Sequence, residues 1–159
     1  LDTNHISSMV ANDEKNQYDI TPVGGKEAAL KGYRIDFKSQ TGNYKSDDNG
    51  TGKGWSSTAT GRVELSEDDM AHTSRILHNS DQNLYFLYTG KVVDGKKEYI
   101  VIGNENGEAE WAVASDTGTN RSDDHGQTFT VTCGYQIYPI TKWYGTIEQE
   151  DAESVSSRV

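Results

Sequence analysis

The sequence predicts a mainly β protein, an antiparallel β-sandwich or small barrel with one α-helix and a long inter-strand loop. Three observations lead there. From Trp55 to Leu65, the apolar or small residues Trp55, Ser57, Ala59, Gly61, Val63 and Leu65 alternate with the polar Ser56, Thr58, Thr60, Arg62 and Glu64. A side-chain period of two suits a strand with one buried and one wet face. From Thr128 to Tyr138, Phe129, Val131, Cys133, Tyr135 and Ile137 alternate in the same way with Thr128, Thr130, Thr132, Gly134 and Gln136. Only 33% of the 159 residues are hydrophobic, so apolar side chains must be confined to one face of each element, as in a sandwich or barrel.

The elements follow in chain order. Residues 1–25 are expected to form an N-terminal arm, because Ile6, Met9, Val10 and Tyr18 are too scattered to pattern an independent element. Pro22, Gly24 and Gly25 punctuate the chain, and Lys26 to Gly32 reads as a helical turn or a strand lead-in. Tyr33, Ile35 and Phe37 then alternate with Arg34, Asp36 and Lys38 as a strand. Ser39 to Gly54 carries four glycines and little that is apolar except Tyr44. Loops of this length are usually functional or disordered, so this one is expected to extend from the domain and to gain order against a neighbouring subunit.

Ser66 reads as the N-cap of a helix, with Asp69 reaching back from N3 and three acids in the first turn. The helix should run to His78, with Met70, Thr73, Ile76 and Leu77 on its buried stripe. Asn83 to Lys91, apolar on both faces, reads as a central strand covered on each side. Asp94-Gly95 is a strong hairpin signal leading into Glu98 to Ile102. Asn106-Gly107 turns that strand into Glu108 to Ala114, and Ser115 to Gln127 forms a second polar loop before the last long strand. After Pro139 comes a return containing Trp143. The division is therefore an arm at 1–25, a β-sandwich domain at 26–145 and an acidic tail at 146–159.

Asp and Glu number 25 against 15 Lys and Arg, a net charge of -10. Surfaces that grip nucleic acid need clustered cations to displace counterions, so tight DNA binding is not expected; acid can still line a conduit through which DNA slides. The single cysteine, Cys133, sits at a core-facing strand position and reads as a buried structural thiol. No apolar run approaches the ~20 residues of a spanning helix. The N-terminal LDTNHISSMV lacks the charged and apolar regions of an export signal. A soluble chain without membrane insertion is expected.

Motifs of reaction chemistry are thin. His72 and His78 are six apart, which does not bring both to one helix face as metal ligation at i and i+4 would, and His5 and His125 lie in polar stretches. Asp47, Asp48 and Asn49 before Gly50, and the pair Asp123 and Asp124, look like calcium loops but lack the spaced oxygens and closing Glu. The glycines from 50 to 54 have no strand-then-helix context for phosphate. No catalytic, cofactor-binding or metal-ligating residue is assigned, and no enzymatic activity is expected. A carbohydrate platform built from Tyr138, Trp143 and Tyr144 is the alternative binding reading.

The order of these elements is similar to that of the major tail tube proteins of long-tailed bacteriophages. The resemblance spans Tyr33 to Thr141. It rests on a strand of the type W-S-x-x-x-x-G-x-V, matched by Trp55, Ser56, Gly61 and Val63, on a helix matched by Ser66 to Leu77, and on the closing glycine-containing run Thr130 to Tyr135. The resemblance implies a structural virion protein of the phage tail, without cofactors. Its hexameric rings would join their inner sheets into one barrel and stack into a tube that meets other tail proteins and passes DNA through a negatively lined bore. By position, the inter-subunit loop candidates are Gln40, Asn43, Tyr44, Lys45, Asp47, Asp48 and Lys53, and the lumen-facing candidates are Ser56, Thr58, Thr60, Arg62 and Glu64. The rivals are a non-catalytic β-sandwich binding carbohydrate or protein, and a phage head decoration protein.

Overall fold

A computed structural model describes residues 5–36, 41–63, 75, 84–106, 108–116 and 126–149. The chain is mainly β and sandwich-like. Its strands are β1 (Ile6–Asn12), β2 (Gln17–Pro22), β3 (Leu30–Gly32), β4 (Asn43–Asp48), β5 (Trp55–Val63), β6 (Tyr85–Val93), β7 (Lys96–Ile102), β8 (Ala109–Asp116), β9 (Gly126–Gln136), β10 (Lys142–Gly145) and β11 (Ile147–Gln149). The expected helix from Ser66 lies outside the described residues.

The strands stack in three layers. A four-stranded antiparallel sheet has the order β4-β5-β9-β8, and a three-stranded antiparallel sheet has the order β10-β7-β6. Between them lies one core, in which Ile102, Tyr85 and Leu87 of the smaller sheet meet Ala59, Val63, Trp111, Phe129, Val131 and Cys133 of the larger. The opposite face of the smaller sheet presents Val101, Phe86 and Trp143 to a second core with Tyr18 and Ile20 of the β1-β2 hairpin, Leu30 and Tyr138. Sheet faces that are apolar on both sides are covered on both sides. In this molecule β7 is that strand. β6, read from sequence as central, is an edge, and its second half is exposed.

Several other expectations are corrected. The segment read as an arm holds a hairpin, because Tyr18, Ile20 and Pro22 alternate with Gln17, Asp19 and Thr21 and turn one apolar face onto the body. Tyr138 donates its hydroxyl hydrogen to Asp13 at 2.5 Å and ties the hairpin down. The strand expected over Tyr33 to Lys38 is replaced by β3 at Leu30–Gly32, and residues 33–36 are not in a strand. Phe37 is outside the described residues. The start of the expected tail, Ile147–Gln149, pairs in parallel with β3, placing Ile147 opposite Leu30. The Asn106 turn changes sheets, since β7 and β8 belong to different ones.

Over the described residues, which end the first alternation at Val63, the two long alternations hold with one break. Ser57, Ala59, Gly61 and Val63 are buried and Ser56, Thr58, Thr60 and Arg62 are half-buried. On β9, Phe129, Val131 and Cys133 point inward. Between the pairs Ser57–Cys133 and Trp55–Gln136, β9 carries one more residue than β5. This β-bulge reverses the facing of everything beyond it. Tyr135, expected in the core, is 47% exposed, and Gln136, expected to be wet, is fully buried with its amide donating to the carbonyls of Val101 and Gly103. Trp55, beyond the bulge, is half-buried where burial was expected.

Candidate functional site

The segment from Thr41 to Gly54 is the largest departure from expectation. Residues 43–48 form β4, paired along their length with β5 from Trp55 to Thr60. The reason is Tyr44. Its ring packs against the central core and its single hydroxyl hydrogen goes to the Pro139 carbonyl at 2.8 Å, leaving Ser57 Oγ, 3.0 Å away, to donate to it. Burial pushes the Tyr44 hydroxyl above its usual pKa, while the bond with Ser57 pulls the other way. One aromatic anchor offsets the entropy of ordering a polar strand.

The turn after β4 closes on itself. Asp48 Oδ1 accepts from the Gly50 amide, and Asn49 Nδ2 donates to the carbonyls of Lys53 and Gly134. Ser56 Oγ donates to Asn49 Oδ1 at 2.6 Å. The carboxylate and amide that suggest a calcium loop are thus engaged in turn closure, and the Gly134 carbonyl freed by the β9 bulge finds partners here. Gly54, at φ 67°, lies under the Tyr135 ring. Of the inter-subunit candidates, Tyr44 is a core anchor. Asn43, Lys45 and Asp47 point to the wet face, with Lys45 paired to Asp47 at 2.9 Å. Asp48 and Lys53 belong to the turn, and Gln40 is outside the described residues.

Of the candidates read as lumen-facing, Ser56, Thr58, Thr60 and Arg62 share one face of the four-stranded sheet. Register sets Lys45, Thr58, Thr132 and Glu110 side by side across the four strands, then Asn43, Thr60, Thr130 and Ala112, then Arg62, Thr128 and Ala114. Asp47 lies opposite Ser56. Sequence reading found the β5 row. It did not find its partners on β4 and β8, because their register follows from pairing. The result is a hydroxyl-rich face on which the charges in these rows are Lys45 and Arg62 against Asp47 and Glu110. Glu64 is outside the described residues. β4 and β8 end the sheet on either side, and edges of this kind present unpaired backbone donors and acceptors.

The carbohydrate platform does not assemble as expected. Tyr138 is buried, and Trp143 packs edge-on to Phe86 with centroids 5.5 Å apart and beside Tyr99 at 5.8 Å. Tyr144 is more exposed, yet its hydroxyl is committed to Glu98. A different aromatic pair, Trp55 and Tyr135, lines a shallow hollow of about 340 Å³ with Asp48 and Thr51.

Glu98 is the one acid buried in the smaller sheet. Three residues of β6, Thr89 to Lys91, stand opposite it in a bulge, with Gly90 at φ 82°. Thr89 Oγ1 donates to one carboxylate oxygen at 3.0 Å, and the Tyr144 hydroxyl to the other, with Lys142 Nζ at 3.6 Å. Burial alone would raise this carboxyl. The two hydroxyls and the Lys142 and Lys91 charges outweigh it and hold the group below the usual carboxylate range. Among the described residues no three His, Cys, Asp or Glu are grouped to hold a metal ion. Comparison of the chain with protein-family models, curated proteins and solved structures finds no match.

Proposed function

We propose that this chain is a self-assembling structural protein. Its four-stranded sheets join edge to edge into a ring, and rings stack into a tube, as in the phage tail tubes its sequence resembles. One observation carries the reading: a four-stranded sheet with an apolar inner face, a hydroxyl-rich outer face and an edge strand on either side. Four antiparallel strands leave β4 and β8 running in opposite directions. The β4 of a second copy, brought up by rotation, therefore continues the antiparallel ladder beside β8. Repetition around an axis closes the sheet into a barrel and removes both edges.

The Thr and Ser face would then line a water-filled bore in a virion tail. Such a lining holds no cluster of Lys or Arg to condense on phosphate, so DNA passing through is not retained. A net negative bore would draw its excess of acid from beyond the rows that Lys45, Arg62, Asp47 and Glu110 occupy. Contacts with other tail proteins belong to the same reading.

Negative-stain microscopy of the concentrated protein tests it. Rings or tubes of uniform width are expected. Small particles at every concentration would overturn the reading and favour a sugar-binding module, whose stacking surface would be the Trp55 and Tyr135 hollow beside Asp48.

A further inference from the structure

We infer that the tip of the β6-β7 hairpin is a docking element that seats on the acidic β7-β8 corner of a second copy of this chain, joining copies head to tail. The inference rests on the self-assembly proposed above and names its stacking contact.

The tip projects where the core ends. Val92 is 59% exposed and Val93 is 44% exposed. Adjacent strand residues point to opposite faces, so the ribbon presents a bare valine on each side. The chain as a whole is strongly acidic, yet Lys91, Lys96 and Lys97 are exposed here. The local acids are Asp94 in the turn, Glu27, 3.9 Å from Lys96, and the buried Glu98 next to Lys97. Lys97 Nζ stands 5.3 Å over the exposed Tyr88 ring. An apolar ribbon edged with cations suits an acidic protein surface better than bare water.

The tip is also held in shape. Asp94 at φ 51° and Gly95 at φ 77° make the tight turn that a two-residue hairpin requires. Thr89 bonds Glu98 across the bulge below it. A preformed element loses little conformational freedom on docking.

The complementary surface lies at the other end of β7. Glu105 and Glu108 are exposed in the β7-β8 connection, and Glu110 is exposed at the start of β8. Six residue steps along β7 separate tip from corner by about 20 Å. One copy therefore cannot satisfy its own tip. Contacts between unlike surfaces at opposite ends repeat head to tail, and where the rotation between copies does not close a ring they give a stack.

Charge reversal tests the contact, with sedimentation velocity at low salt and electron microscopy as readouts. Wild type is expected to stack. K96E/K97E is expected to keep its circular dichroism spectrum and melting temperature but not stack alone. E105K/E108K, which spares the β8 edge, should also fail alone, while an equimolar mixture of the two variants recovers stacks, because each tip then meets a corner of opposite charge. V92S/V93S, which leaves every charge in place, should weaken stacking at high salt as well as low. K96E/K97E stacking like wild type, or a mixture no better than its components, would overturn the inference even if rings still form. A wild type that stays monomeric at every concentration would overturn the inference and the assembly reading together.

Discussion

The Tyr144 hydroxyl donates to the Glu98 carboxylate at 3.0 Å, joining the edge strand β10 to the buried acid of the central strand β7. The bond acts on both groups. It is the main cause holding the Tyr144 hydroxyl above its usual pKa, and it helps to hold Glu98 below its own. A carboxyl depressed in the folded state contributes stability that is present above its unfolded pKa of about 4.3 and lost as pH falls through the lower folded value. Glu98→Gln should therefore be less stable than wild type at pH 7, and the gap should narrow as pH falls below about 4.3. Urea titrations at several pH values measure it. A gap independent of pH between 7 and 3 would show that the Glu98 charge is not what the bonds recognise.

Phe129 stacks on Trp111 with centroids 5.1 Å apart and planes 2° from parallel, and both are buried in the core between the sheets. Phe129→Ala removes one side of that stack and leaves a cavity. A loss of about 3–5 kcal/mol is expected for a large-to-small change of this kind. Chemical denaturation gives the value directly. A loss under about 1 kcal/mol would mean that the sheets are not packed through this pair.

Gly54 and Gly52 both have positive φ but differ in space. A Cβ on Gly54 would lie 2.5 Å from the Gln136 carbonyl oxygen and 2.8 Å from the Tyr135 ring, while one on Gly52 meets nothing within 4 Å. Both alanine variants incur the left-handed backbone cost of about 1–2 kcal/mol. Gly54→Ala should lose more, since backbone cannot move aside as a side chain can. Equal melting temperatures for the two variants would contradict the described turn.

Cys133 is buried, and burial pushes its thiol up, with lesser support from the charges of Glu108, Glu105 and Glu110. The thiolate is the reactive form. Native protein at pH 8 should react with a thiol reagent only as fast as it unfolds, and denaturant should release one equivalent. Fast stoichiometric labelling of the folded chain would contradict the burial.

The two long alternations were legible because a half-buried strand imposes its period on the sequence. The Asp94-Gly95 turn was legible because it requires positive φ at two adjacent positions. What escaped was non-local. Tyr44 sits in a run of polar residues whose composition reads as loop, and only its contacts with Ser57 and Pro139 make that run a strand. The β9 bulge cannot be read from alternation, since Tyr135 and Gln136 continue the pattern on paper and break it in space. The hairpin at 6–22 was faintly written in Tyr18, Ile20 and Pro22. β6 and β7 are both apolar enough to be central, and the choice was made by β10 pairing with β7. At the candidate site, the β5 row could be read, whereas its Thr partners on β9, Lys45 on β4 and Glu110 on β8 came from register.

Backbone hydrogen exchange, compared between dispersed and concentrated protein, tests the central claim most directly. Joining through sheet edges predicts that amides of β4 and β8 that face away from the sheet become protected on assembly. Those of β5 and β9, paired within one copy already, should keep their rates. Unchanged exchange on β4 and β8 in a sample that has assembled would contradict edge-to-edge joining.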